Sequence, residues 1–320
     1  GRGVSPVAGI EVRRIAGHIG AEITGADLSV PDADVAAAAW RAMLEHKVVF
    51  FRGQHLDHAA QVAFARRLGP LLARHGTRSD GGLDAWPEVL TISPQVDQAT
   101  FGLDYEGLFR KRRVHAQAGW HTDMTNYVNP PAASVLRAGT VPELGGDTQW
   151  VNLAAAYAGL SGPVQRLADG LSAEHDHWSG YQMRPDDPAD AQAMATVGAD
   201  PHAAVHPVVA VHPETGERAL FVSPARIRRI IGLDPPESRH VLGLLVEQAT
   251  RPEYTVRWRW EPGDVAMWDN RATAHVGPGD FDGQPRVMYR VTIAGGRPVG
   301  PDGFTSQIVT GRELAADGGG

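Results

Sequence analysis

RPEYTVRWRWEPGDVAMWDNRATAHVGPGDFDGQPRVMYRVTIAG, residues 251–295, is the stretch that decides the fold. Apolar residues alternate with polar ones in Tyr254–Trp260, crowd together in Asp264–Trp268 and alternate again in Val287–Ile293. Gly, Pro, Asp and Asn separate the runs, which is the pattern of short strands joined by tight turns. The same texture continues outward. Ser134–Ala138, Thr148–Val151, Val205–Val211 and Ala219–Val222 read as strands, and so do GIEVRRI (9–15) and Lys47–Phe51. Val35–His46, His58–Leu68 (behind Asp57 as N-cap), Leu153–Leu160 and Pro236–Thr250 fit helices. Many short strands, few helices and no strict strand–helix alternation predict a mainly β fold with flanking helices, a sandwich or jelly roll. We read one domain over 1–320, with an ordered core of about 9–312. The stretches 93–119 and 177–204 resist assignment, and read either as loops or lids over an active site or as surface insertions.

Composition narrows the function. Hydrophobic residues make up 42% of the 320, enough for a sizeable core. A formal charge of −7 argues against a nucleic-acid binder or a binder of anionic membranes. No apolar run approaches the roughly 20 residues of a membrane helix. The start lacks a charged segment followed by an apolar one, so a cytoplasmic location is expected. With no cysteine, disulfides, thiolate metal sites and cysteine nucleophiles are excluded, and a metal would rest on His, carboxylate or water.

The 14 histidines are therefore the place to look. A His-x-Asp pair on a strand presents both side chains on one face, and with a distant His it makes a 2-His-1-carboxylate set that leaves open positions on the metal. About one such pair is expected by chance, and the chain has two, His55-Leu56-Asp57 and His121-Thr122-Asp123. In the first, Asp57 already serves as a cap. The second gains weight from His275 in the C-terminal segment and from Arg286 and Arg290. Those arginines lie four apart on one strand with Met288 between them, so both guanidiniums point the same way. Two inward planar cations suit two carboxylate or sulfonate anions; two edge arginines paired with surface carboxylates would be the structural alternative.

Taken together and in order, GHIGAEITGADLS, KVVFFRGQ, WHTDMT, PELGGDTQW, AEHDH, HPVVAVHPETGERALFV and the 251–295 segment resemble the taurine dioxygenase (TauD/TfdA) family of Fe(II)/2-oxoglutarate-dependent dioxygenases. The resemblance runs from about Gly17 to about Gly300. It implies a double-stranded β-helix, a cupin-like jelly-roll variant. It also implies Fe(II) held by His121, Asp123 and His275, with 2-oxoglutarate and O2 as co-substrates. Thr148 and Arg286 match the positions that hold the far carboxylate of 2-oxoglutarate, and Arg290 matches the arginine that pairs with an acidic substrate. His75, Gln117, Tyr181 and Phe221 fall near substrate-pocket positions, although Gln117 stands where the taurine enzyme has Asn and Tyr181 where it has Phe. The activity implied is oxidation of a C–H bond of a small anionic organic substrate, a sulfonate or an alkyl sulfate ester, with release of succinate and CO2. A carboxylate or amino-acid-derived substrate, and a non-catalytic metal-binding jelly roll, are the alternatives. Asp123 argues for oxygenation, since related halogenating enzymes have a small residue there. The oligomeric state is left open between monomer and homo-oligomer.

The basic run Arg110–Arg113 reads as a solvated loop or as a guide for an anion. Trp120, Trp258, Trp260 and Trp268 read as core. His206 and His212 are expected to make structural hydrogen bonds, His175 with His177 to bind no second metal, and Gly145-Gly146 to form the turn that presents Thr148.

Overall fold

The computed structural model of the protein describes residues 9–30, 32–73, 85–281 and 283–317. His75 lies outside them. β1 (Glu11–Arg14) and β2 (Ala21–Thr24) form an antiparallel ribbon. α1 (Ala33–His46) starts at Asp32, whose side chain accepts from the amides of Asp34 and Val35. Its Ala36, Ala39 and Met43 stripe enters the same apolar cluster as Val49 and Phe51 of β3 (Val48–Phe51). α2 (His58–Arg66) begins at Asp57, which accepts from the Ala60 amide as expected.

The stretch 93–119 is not a loop. After β4 (Leu90–Ile92) it folds into α3 (Pro94–Phe101), capped by Ser93, α4 (Tyr105–Lys111), capped by Asp104, and a 3-10 turn at Ala116–Gly119. Gly102, at φ 70°, breaks the first two helices apart. Helices of two turns carry too few apolar repeats to announce themselves in a sequence.

β5 (Ala133–Thr140), β6 (Thr148–Asn152), α5 (Leu153–Ala158), α6 (Gly162–Asp169) and β7 (Ser172–His175) follow. The second unassigned stretch, 177–204, contains α7 (Pro188–Gly198), capped by Asp187, and the start of β8 (Ala203–Pro207). The run Val205–Val211, expected as one strand, is two: β8 and β9 (Val209–Val211) lie in different sheets. Pro207, the last residue of β8, has no N–H to carry the ladder onward. The remaining elements are β10 (Arg218–Leu220), β11 (Ile227–Ile230), α8 (Pro235–Ala249), β12 (Thr255–Trp258), β13 (Val265–Asp269), β14 (Thr273–Val276), β15 (Val287–Ile293) and β16 (Gln307–Thr310).

A seven-stranded sheet runs in the order β1-β2-β3-β13-β5-β15-β4, with only β2 and β3 parallel. Sheets β12-β6-β14, β11-β7-β8-β16 and β10-β9 complete the jelly roll. Strands distant in sequence are neighbours, so side chains from β5, β13, β14 and β15 can converge. One apolar cluster, with Phe50, Leu136, Trp150, Trp258, Trp260, Trp268 and Met288, joins residues of the large sheet to β6 and β12. Phe50 stacks on Trp258 at 4.1 Å between ring centroids. Trp258, Trp260 and Trp268 are core residues as expected, whereas Trp120 is half-buried. No helix among the described residues is long and apolar enough to cross a membrane.

Candidate metal centre and cavity

His121 and His275 are brought together by backbone. The His121 amide donates to the His275 carbonyl at 3.0 Å, and the His275 amide donates back at 2.8 Å. This bridge to β14 sets the two imidazoles at 4.3 Å between centroids. Asp123 comes two residues after His121, and Met124 then turns the chain at φ 56°. Asp123 Oδ1 lies 3.8 Å from Nε2 of His121 and 3.8 Å from Nε2 of His275. Among the described residues these three form the one group of side chains able to share a metal ion.

Two neutral imidazoles and a carboxylate suit Fe(II). The donor atoms, all within 4.8 Å of one another, lie wider apart than the about 3 Å between neighbouring donors on an ion with bonds of about 2.1 Å. Burial pushes the His275 imidazole down to about 3, with His121 beside it acting in the same sense. Burial lowers His121 too, so both rings offer lone pairs at neutral pH. Burial would raise the Asp123 carboxyl, but Arg290, the two imidazoles and Ser134 outweigh it and hold the group well below the usual carboxylate range.

Neighbouring groups orient the donors. His121 Nδ1 donates to the Gly119 carbonyl at 3.1 Å, which leaves Nε2 facing Asp123. Trp268 Nε1 donates to Asn270 Oδ1 (2.9 Å), Asn270 Nδ2 to Ser134 Oγ (3.0 Å), and Ser134 Oγ to Asp123 Oδ2 (3.2 Å). All four residues are buried. This chain occupies Oδ2 and leaves Oδ1 toward the imidazoles. Sequence reasoning missed Ser134 and Asn270; the Trp-Asp-Asn turn after a buried strand was the signal available.

The three donors open onto a cavity of about 850 Å3 whose wall includes Thr148, Arg286 and Arg290. Arg286 is 7% exposed, and its Nε donates to the Gly146 carbonyl at 3.1 Å, which leaves its terminal nitrogens for a ligand. Gly146 sits at φ 69°, and a Cβ there would stand 2.6 Å from Pro142 Cγ. Its amide is held by Asp280 Oδ1 at 2.9 Å. The Gly-Gly turn thus positions Arg286 as well as Thr148. Thr148 Oγ1 accepts from Trp260 Nε1 at 3.0 Å, so its own proton is free to donate. Arg290 Nη1 donates to Asp123 Oδ1 at 2.8 Å.

Tyr105, Phe109, Trp178, Tyr181 and Phe281 supply an aromatic wall. Of the other expected pocket residues, Tyr181 lines the cavity. Phe221 is buried against His175 and His206 and is not among the lining residues, and Gln117 sits half-buried on the 3-10 turn, outside the lining. The basic run divides. Arg112 pairs with Asp190 (2.7 Å) and Asp187 (3.2 Å), tying the end of α4 to α7, while Arg110 and Arg113 face the cavity. Arg226, not singled out in the sequence, also lines it and donates to the His177 carbonyl at 2.8 Å.

His212 and His206 make the structural hydrogen bonds expected. His212 Nε2 donates to Asp269 at 2.9 Å; His206 Nε2 donates to the Thr125 carbonyl at 2.7 Å. Burial pushes the fully enclosed His206 down to about 4, although the hydrogen bond to Thr125 pulls the other way. The folded state therefore binds fewer protons than the unfolded one below pH 6.5. Stability present above pH 6.5 is lost as pH falls through 4, by about 3 kcal/mol. Urea unfolding at pH 7.5 and 4.5 should show His206→Gln with a shallower acid loss by that amount. An identical loss in both proteins would rule the assignment out.

A jelly roll that gathers two imidazoles, one carboxylate and nearby arginines on the wall of one cavity is the architecture of a non-haem iron oxygenase that takes an anionic co-substrate. The chain belongs to the family described as "Taurine catabolism dioxygenase TauD, TfdA family", whose model matches residues 11–292. It is 43% identical over 304 residues to an alpha-ketoglutarate-dependent sulfate ester dioxygenase of Pseudomonas putida, covering 93% of this chain and 94% of that protein. It is 34% identical over 318 residues to an alkylsulfatase of Acinetobacter baylyi, covering 98% and 94%. A solved taurine dioxygenase from Burkholderia xenovorans superimposes with a TM-score of 0.79 at 42% identity, covering 95% of each chain. The protein is an Fe(II)/2-oxoglutarate-dependent dioxygenase, an oxidoreductase that oxidises a small anionic organic substrate with release of succinate and CO2.

Proposed function

We propose that His121, Asp123 and His275 hold the iron, that Arg286 and Thr148 hold the far carboxylate of 2-oxoglutarate, and that Arg290 holds the sulfate of an alkyl sulfate ester. Bound there, the ferrous ion supplies activation of O2 coupled to decarboxylation of the 2-oxo acid. The residues do the positioning. Arg286, fixed through Nε on Gly146, offers a two-nitrogen fork, and the Thr148 hydroxyl adds a third donor.

The observation that carries the substrate reading is the 2.8 Å contact of Arg290 with Asp123. A guanidinium on a metal-binding carboxylate keeps any anion it grips beside the metal, so the carbon next to the anionic head is the one oxidised. For an alkyl sulfate that carbon bears the ester oxygen. Its hydroxylated form loses the hydroxyl proton, the C–O bond to sulfate breaks with its electron pair, and an aldehyde and sulfate result. The relatives from Pseudomonas putida and Acinetobacter baylyi support the same class.

Aerobic assays with Fe(II), ascorbate and 2-oxoglutarate test it on a panel of alkyl sulfates, sulfonates and carboxylates. Succinate, aldehyde and sulfate should form in equal amounts from alkyl sulfates, with succinate at least about tenfold above the substrate-free rate. Stimulation by sulfonates or carboxylates alone would refute the sulfate ester assignment.

A further inference from the structure

Most arginines facing the cavity have an acceptor. Arg286 donates to Gly146, Arg290 to Asp123, Arg226 to His177 and Arg312 to Asp200. The side chains of Arg110 and Arg113 make no hydrogen bond or ion pair among the described residues, and of the two Arg110 lies over the Phe281 ring. The electrostatic neighbours of Arg113 are Tyr181, Arg110 and Glu106.

Arg113 is nevertheless held in place. Its backbone bridges Tyr181, with the Val114 amide on the Gly180 carbonyl (3.1 Å) and the Gln182 amide on the Arg112 carbonyl (2.7 Å). Its guanidinium lies over Gly119: a Cβ there would stand 2.5 Å from Cζ, 2.6 Å from Nη1 and 2.8 Å from Nη2. Burial disfavours its charge more than these neighbours support it. A half-buried, fixed and unpaired guanidinium on the wall of an anion-binding cavity is a preformed anion site. It belongs to a different wall from Arg290: Arg113 is anchored to the 180–182 segment, Arg290 to β15. Phe109, Trp178 and Tyr181 line the same cavity, with Phe109 and Tyr181 rings 4.9 Å apart.

We propose that Arg113 is a second anion subsite, and that the preferred substrate is a dianion with an apolar spacer, its reacting head on Arg290 and its far anionic group on Arg113. This rests on the sulfate ester reading for the chemistry of the reacting head and adds the chemistry of the tail.

Two ligand pairs test it. Hexyl sulfate and 6-(sulfooxy)hexanoate are compared in turnover. Hexanoate and adipate are compared by calorimetric binding to protein saturated with Fe(II) and 2-oxoglutarate without oxygen. In wild-type protein the dianion of each pair should be favoured about 10–100-fold, as a lower KM at similar kcat in turnover and a lower Kd in calorimetry. Arg113→Gln should bring both ratios to about one, and Arg113→Lys should keep an intermediate preference. Ratios near one in wild type, or unchanged in Arg113→Gln, overturn the subsite. The two ideas separate cleanly. Turnover of hexyl sulfate with flat ratios sinks the subsite alone. No turnover of either sulfate, with an Arg113-dependent preference for adipate, sinks the sulfate ester reading and leaves the subsite standing.

Discussion

His275→Ala is expected to lose substrate-dependent succinate formation by roughly a thousandfold or more, while remaining folded. Two donors then remain where three converged within 4.8 Å. No other donor among the described residues joins the group to replace the imidazole, and Arg290, which shares Oδ1 of Asp123, is a cation. The fold should tolerate the change. The bridge between His121 and His275 is made of backbone hydrogen bonds, which alanine keeps. Nδ1 of His275 has no hydrogen-bond partner to lose, although the ring does pack on Trp268 at 5.0 Å. Thermal unfolding of the metal-free proteins should therefore differ by only a few degrees, while Fe(II) titration shows a much weakened site. Succinate formation at the wild-type rate in this variant would dismiss the triad.

Arg286→Ala should act on the co-substrate instead. A charge-assisted bidentate contact is worth about 3 kcal/mol, so the KM for 2-oxoglutarate should rise about a hundredfold. The value of kcat at saturating co-substrate should fall far less, because Arg286 would hold only the far carboxylate and not the reacting 2-oxo end. Arg286→Lys keeps the charge but not the fork, and Nε no longer caps the Gly146 carbonyl, so it should recover part of the affinity only. Initial rates against 2-oxoglutarate concentration decide the matter. An unchanged KM in Arg286→Ala would place the far carboxylate elsewhere.

Val287–Ile293 was legible because its apolar residues alternate and turn residues precede and follow it, and it has the same limits in the folded chain as in the sequence. The grouping of His121, Asp123 and His275 rested on spacing for the first two and on family resemblance for the third, since nothing local in the 275 region announces a bridge to residue 121. What stayed hidden was of two kinds. α3 and α4 are too short to show a period. The Ser134–Asn270 support of Asp123 depends on β5 and β13 being neighbours in the sheet, which no single window of sequence reveals. Arg110–Arg113 shows the same limit: within one basic run Arg112 pairs with α7 while Arg110 and Arg113 reach the cavity wall, according to which way each side chain points.

The relay from Trp268 through Asn270 and Ser134 couples the tilt of one carboxylate to how a tryptophan sits in the hydrophobic interior. Interior and chemistry thus share a hinge pin. Mutational drift that merely conserves volume at position 268 would spare folding yet detune the reaction, so descendants of this chain are free to redecorate the cavity rim for new substrates long before they can repack its floor.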